Sequence, residues 1–115
     1  MYDNEMYKEM VIYIEACESG SMFENTLKDN INVYAVTAAN GKESSWGCYC
    51  PPQDKVQGVS MRTCLGDLFS VNWMENAEAY EPDSETLAGQ FDIVKKKTDK
   101  SHVMKFGDTS NSLVD

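Results

Sequence analysis

Apolar positions fall along this chain in two rhythms. Met10–Ile14, "MVIYI", and Ile31–Ala39, "INVYAVTAA", are short, mainly apolar runs rich in β-branched residues, the pattern of strands buried on both faces of a parallel sheet. About a dozen residues separate them, "CESGSMFENTLKDN", room for a short crossover helix. Further on the spacing changes to three and four. Leu68, Val71 and Met74 predict a helix over "GDLFSVNWMENAE" packed on the sheet. "EPDSETLAGQFDIVKKKT" predicts an amphipathic helix started by Asp83, with a stripe of Leu87, Phe91 and Val94 and lysines at its end. "NEMYKEM" is expected to close a short helix. Asn40–Cys64 follows neither rhythm and reads as a long loop, a feature usually tied to function in compact domains. Strands joined by a crossover and flanked by helices make an α/β layer architecture. Two buried strands are too few for a sheet covered on both faces, so the expected object is the second half of a larger α/β domain.

Charge and composition narrow this picture. The 115 residues carry a formal net charge of -9, with 42% hydrophobic and 25% charged residues, the balance of one folded domain. An acidic surface does not suit phosphate binding, so nucleic acid is excluded as a partner. "KKK" at Lys95–Lys97 complements the dipole at a helix end. No run approaches the ~18 apolar residues of a membrane span. The opening "MYDNEMYKEM" lacks the basic start and apolar stretch of a signal peptide. Cys17, Cys48, Cys50 and Cys64 stand with a single histidine, His102, in spacings that fit no zinc signature, so neither metal nor cofactor is expected.

The unusual feature is "EACESGS", in which the first strand runs directly into a thiol between two carboxylates, Glu15 and Glu18. Like charge should push the thiol pKa up. Taken singly, Cys17 suits a buried structural thiol, Glu15 a strand-end ion pair and Asp67 a helix N-cap. Residues alternate along a strand, which sends Glu15 and Cys17 to the same side.

"YIEACESGSMF", "INVYAVTAAN", "ESSWGCYC", "CLGDLFSVNWME" and "SHVMKFGD" together resemble the legumain family of asparaginyl endopeptidases, in order and over nearly the whole chain. The resemblance implies a caspase-like α/β fold and cleavage on the carboxyl side of asparagine, less readily aspartate at more acid pH. It also implies protein or peptide substrates and an endolysosomal, vacuolar or secreted setting. Cys17 matches the family nucleophile, at the carboxyl end of a strand where open α/β sheets place their sites. Glu15 and Asp67 match the acids of the specificity pocket, which accept from an asparagine amide. Ser44, Ser45 and Trp46 match the segment beside the substrate backbone, with Trp46 as an apolar wall. Cys50 and Cys64 match a cystine of some legumains, leaving Cys48 free. Glu18 has no assigned role. His102 follows the last helix, whereas the family's catalytic histidine precedes the nucleophile, so His102 is expected to be structural.

The resemblance also places the catalytic histidine, the pocket arginine and the oxyanion-hole glycine upstream of this segment. Residues 1–108 are therefore expected to be the C-terminal part of a legumain-like peptidase domain, partnered by the missing N-terminal half, with 109–115 a flexible tail. The other possibility is a truncated, non-enzymatic paralogue acting as a binding or decoy module.

Overall fold

In the computed structural model, which describes residues 1–81 and 83–110, the two apolar runs become neighbouring parallel strands. The element order is β1 (Met10–Ile14), β2 (Val33–Thr37), β3 (Gly47–Cys48), β4 (Lys55–Val56), β5 (Val59–Ser60), β6 (Gly66–Asp67), α1 (Leu68–Ala79), α2 (Leu87–Lys97) and β7 (Met104–Gly107). The central sheet has the order β1-β2-β7. Met10 pairs with Val33 and Ile14 with Thr37. Every residue of β2 is buried and every residue of β1 half-buried, as expected of a middle and an edge strand.

The purely parallel sheet expected from the sequence is corrected by β7, which runs antiparallel to β2 with Ala35 opposite Phe106. Four residues ending in glycine and including a lysine carry no strand signature. Gly107 has φ 83°, and a Cβ there would lie 2.1 Å from the Val33 carbonyl oxygen, so only glycine closes this edge. The chain before β1 forms turns instead of the expected helix, and the β1–β2 connection contains one short 3-10 turn, Ser19–Met22, in place of a crossover α-helix.

Alternate residues of β2 meet the helices. Tyr34, Val36 and Ala38 join Phe69, Phe91, Val94 and Val103 in the core. Helix α1 turns a different stripe inward from the one its spacing predicts. Phe69 and Asn76 are buried and Trp73 packs on the core, while Met74 is 51% exposed. Spacings of four and three, 69-73-76, fit a helix face as well as 68-71-74 does, and the aromatics bury more apolar area. Trp73 stacks on Tyr13 at 4.6 Å between ring centroids. Tyr13 donates its hydroxyl to Gln90 at 2.6 Å, tying β1 to α2. Helix α2 buries Phe91 and Val94 as predicted, but it starts later. Thr86, not Asp83, is the N-cap, accepting the Gly89 N–H at 3.0 Å, and the lysines close the last turn. The tail expected at 109–115 lies mostly at 111–115, outside the described residues.

The long loop is more ordered than its sequence suggests. β3 pairs with β6 and β4 with β5, both antiparallel. Asp54, immediately before β4, is buried. Its Oδ2 accepts the Ser60 hydroxyl at 2.7 Å and the Arg62 N–H at 2.6 Å, and the Ser60 hydroxyl leads the influences that hold this carboxyl below its usual range. A disulfide joins Cys50 to Cys64 across the base of the loop, and Cys48 is free. Closing a loop of that length stabilises by about 3 kcal/mol in the chain-entropy model. Replacing both cysteines by serine should lower stability by about that amount, measured by urea denaturation, and non-reducing peptide mapping should recover the two half-cystines in one linked peptide.

Candidate active site

The turn after β1 is built by close packing. Ser19 is buried, and its hydroxyl donates to the Ala39 carbonyl at 3.3 Å while accepting the Ala39 N–H at 3.1 Å. Gly20 donates its N–H to the same carbonyl at 3.0 Å. A Cβ on Gly20 would stand 2.9 Å from the backbone of Asn40 and Gly41, so the "SG" of "ESGS" lets the turn dock against the end of β2. Docking it there puts Glu18 at φ 57°, a left-handed conformation that non-glycine residues seldom adopt and that is found at functional turns. Cys17 stands fully exposed at the front of this turn.

A second segment runs past the thiol. The Glu43 carbonyl accepts the Glu18 N–H at 2.6 Å, and the Trp46 carbonyl accepts the Leu68 N–H at 2.8 Å. Gly47 pairs with Asp67 in the β3–β6 ladder. Residues 43–47 are thus held at one end by the turn that carries Cys17 and at the other by the start of α1. This places Ser45 beside Cys17, with the Cys17 sulfur 3.8 Å from both the Ser45 carbonyl and its hydroxyl. Two flanking acids led to the expectation of a raised thiol pKa, and the structure corrects it. The Ser45 backbone, and then its hydroxyl, hold the thiol below its ordinary range, with Ser44 assisting; desolvation and the Glu18 charge oppose them and are outweighed.

Glu15 reaches the N-terminus of α1, where its Oε1 accepts the Ser70 N–H at 3.1 Å, and the Ser45 hydroxyl also acts on its carboxylate. It is therefore the side chain that caps α1. Asp67 occupies the N-cap position but makes no side-chain capping bond, which leaves its exposed carboxylate to the solvent side of the site. Glu15 Oε2 is buried and has no hydrogen-bond partner among the described residues. Burial pushes the Glu15 carboxyl above its ordinary value. The Ser70 N–H opposes that shift, and the nearby Asp67 charge adds to it. A buried carboxylate oxygen without a donor costs free energy unless a ligand supplies one.

Of the residues picked out from sequence, Glu15, Cys17, Ser45 and Asp67 come together, and Ser44 acts weakly on the thiol. Trp46 is 53% exposed beside them. Sequence reasoning missed Ser70 and Glu43, since each acts through hydrogen bonds to segments distant along the chain. His102 is exposed, and its Nδ1 lies 2.9 Å from Glu43 Oε2. No helix of the described residues is long and apolar enough to cross a membrane.

Residues 1–114 match the sequence profile of the Peptidase C13 family. The chain is 54% identical over 114 residues to legumain of Mus musculus, covering 99% of this chain and 24% of that protein. It is 50% identical over 112 residues to the vacuolar-processing enzyme delta-isozyme of Arabidopsis thaliana, covering 93% and 24%. It is 48% identical over 111 residues to legumain of Canavalia ensiformis, covering 90% and 23%. The chain therefore spans about a quarter of the length of the curated relatives it matches.

Proposed function

Because the chain belongs to the peptidase C13 family, we propose that it supplies the nucleophile and the acidic side of the specificity pocket to a cysteine endopeptidase that cleaves after asparagine. The remainder of a caspase-like domain comes from a longer parent. The names of the relatives, legumain and vacuolar-processing enzyme, support proteolytic processing in a vacuolar or lysosomal compartment.

The observation that carries this reading is the pairing, across Ser45, of an exposed thiol with a buried, unpartnered carboxylate oxygen. In the proposed reaction the Cys17 thiolate attacks the scissile carbonyl and forms an acyl-enzyme, and the amine leaves with a proton from a base on the parent. The asparagine side chain donates its amide N–H bonds to Glu15 and Asp67. A substrate without those donors leaves the buried Glu15 oxygen unpaired, which costs roughly 1–3 kcal/mol and sets the preference. The test is cleavage by the full-length parent of an Ala-Ala-Asn reporter compared with its Gln and Asp counterparts. Equal rates on Asn and Asp near neutral pH, where the Asp side chain lacks the amide donors, would refute the pocket assignment.

The raised Glu15 carboxyl gives this pocket a pH dependence. As pH falls, Glu15 takes up a proton earlier than an ordinary carboxylate would. Its acceptor for the amide is then half lost, while an O–H donor and one fewer negative charge favour a substrate carboxylate. The ratio of kcat/KM for Asp over Asn substrates should therefore rise as pH falls through the Glu15 pKa. Glu15→Gln should flatten that rise and lower kcat/KM for Asn. The same sign applies to folding. A raised carboxyl favours the folded state at acid pH, and that contribution is lost as pH rises through the folded pKa.

A further inference from the structure

Glu43 takes no part in the proposed chemistry, yet three donors converge on its side chain. Oε1 accepts the Asn40 N–H at 3.0 Å and the His102 N–H at 2.6 Å, and Oε2 lies 2.9 Å from His102 Nδ1. The Glu43 side chain is 24% exposed, against 74% for His102. Its main chain has a separate engagement, the carbonyl accepting the Glu18 N–H at 2.6 Å. One residue thus joins the loop after β2, the turn carrying Cys17 and the segment between α2 and β7. The third segment is itself fixed on both sides of His102. Ser101 donates its hydroxyl to the Ala38 carbonyl at 2.6 Å, and Val103 is fully buried in the core.

We propose that Glu43, held by His102, is a positioning residue for Cys17. The pair fixes residues 43–45 against the nucleophile turn so that the Ser45 backbone and hydroxyl reach the sulfur. This rests on the reading of Cys17 as nucleophile. Partial burial pushes the Glu43 carboxyl up, but the Asn40 N–H and the His102 ring and N–H outweigh it and hold the carboxyl below its ordinary range. The anchor therefore stays ionised to lower pH than an ordinary carboxyl. The other charged groups at this loop are Lys42 and Glu18, both exposed, and Glu24, whose carboxylate lies against Gly41. If the pair only stiffened the loop, removing it would lower the melting temperature and leave the thiol unchanged.

The test uses the full-length parent with Glu43→Ala, His102→Ala and Glu43→Gln, and reads the pH profile of Cys17 alkylation by iodoacetamide together with kcat and KM on the Ala-Ala-Asn reporter. In Glu43→Ala the alkylation midpoint should move to higher pH and kcat should fall about ten- to a hundredfold, with KM nearly unchanged. His102→Ala should give a smaller shift in the same direction. Glu43→Gln, which keeps the Oε1 acceptor, should recover most of the loss. His102 is exposed, so its variant folds even if Glu43→Ala does not, and a wild-type alkylation profile and kcat in His102→Ala would overturn the proposal. With Cys17→Ser inactive, that result would overturn the positioning role alone. A Cys17→Ser parent that still cleaves would overturn the nucleophile and the positioning role together.

Discussion

Cys17→Ser should leave the full-length parent without measurable cleavage of an Ala-Ala-Asn reporter, a fall of at least about 10⁴-fold, the scale seen when a nucleophile or its activating partner is removed. The sulfur is fully exposed at the end of β1, on a turn whose left-handed Glu18 and docked Gly20 hold it clear of the core. The Ser45 backbone and hydroxyl favour its thiolate. A serine in the same place presents a much weaker acid to the same surroundings and stays protonated. The substitution replaces one atom on an exposed side chain, so the parent should fold as before, and an unchanged melting temperature is the control. Iodoacetamide should label Cys17 in the wild-type protein at a lower pH than an ordinary thiol. Because Cys48 is also free, the label must be located by peptide mass. Cleavage that persists in Cys17→Ser would remove Cys17 from the reaction.

The parts of this fold that were legible in the sequence are those with a repeating pattern. The runs at Met10–Ile14 and Ile31–Ala39 are rich in β-branched residues, and they pair as neighbouring strands, the second trimmed to Val33–Thr37. The stripe at Leu87, Phe91 and Val94 faces the core as read. Short elements carry no period. β7 has four residues and owes its edge to Gly107, while the pairs β3–β6 and β4–β5 have two residues to a strand. A buried loop carboxylate such as Asp54 looks like any polar loop residue until the donors around it are seen. In the site, Cys17, Glu15 and Asp67 were singled out through resemblance, because "EACESGS" is a specific string, and the nucleophile and pocket roles given to them are the proposed ones. The thiol's electrostatics were not. Neighbours in sequence predicted repulsion from Glu15 and Glu18, whereas the dominant influence is Ser45, brought alongside from 28 positions away. Glu15 is next to the thiol in sequence and turned toward Ser70 in space.

Residues 1–115 expressed alone should not turn over an Asn reporter near pH 5.5, although Cys17 should still react with iodoacetamide. The two outcomes separate because they make different demands. Alkylation needs only a thiolate, which hydrogen bonds donated by Ser45 favour. Peptide cleavage also needs a group that takes the thiol proton and returns it to the leaving amine, within about 2.6–3.2 Å or through one water. His102 is the single histidine of the sequence, and its Nδ1 is engaged with Glu43. The Cys17 sulfur meets the Ser45 carbonyl and hydroxyl, with the Ser44 hydroxyl acting more weakly, and none of these takes up a proton near neutral pH. Solubility should be poor as well. β1 is an edge strand of the sheet, and beside it lies a groove of about 420 Å³ whose walls include Tyr2, Tyr7, Ile12, Leu27 and Ile31. An apolar edge of this kind favours association with other chains. Far-UV circular dichroism and sedimentation on the same sample would establish that the protein assayed is folded. Turnover lost in Cys17→Ser but kept in His102→Ala would show that this segment holds a base of its own. Turnover lost in both would move His102 from positioning Ser45 to serving as that base.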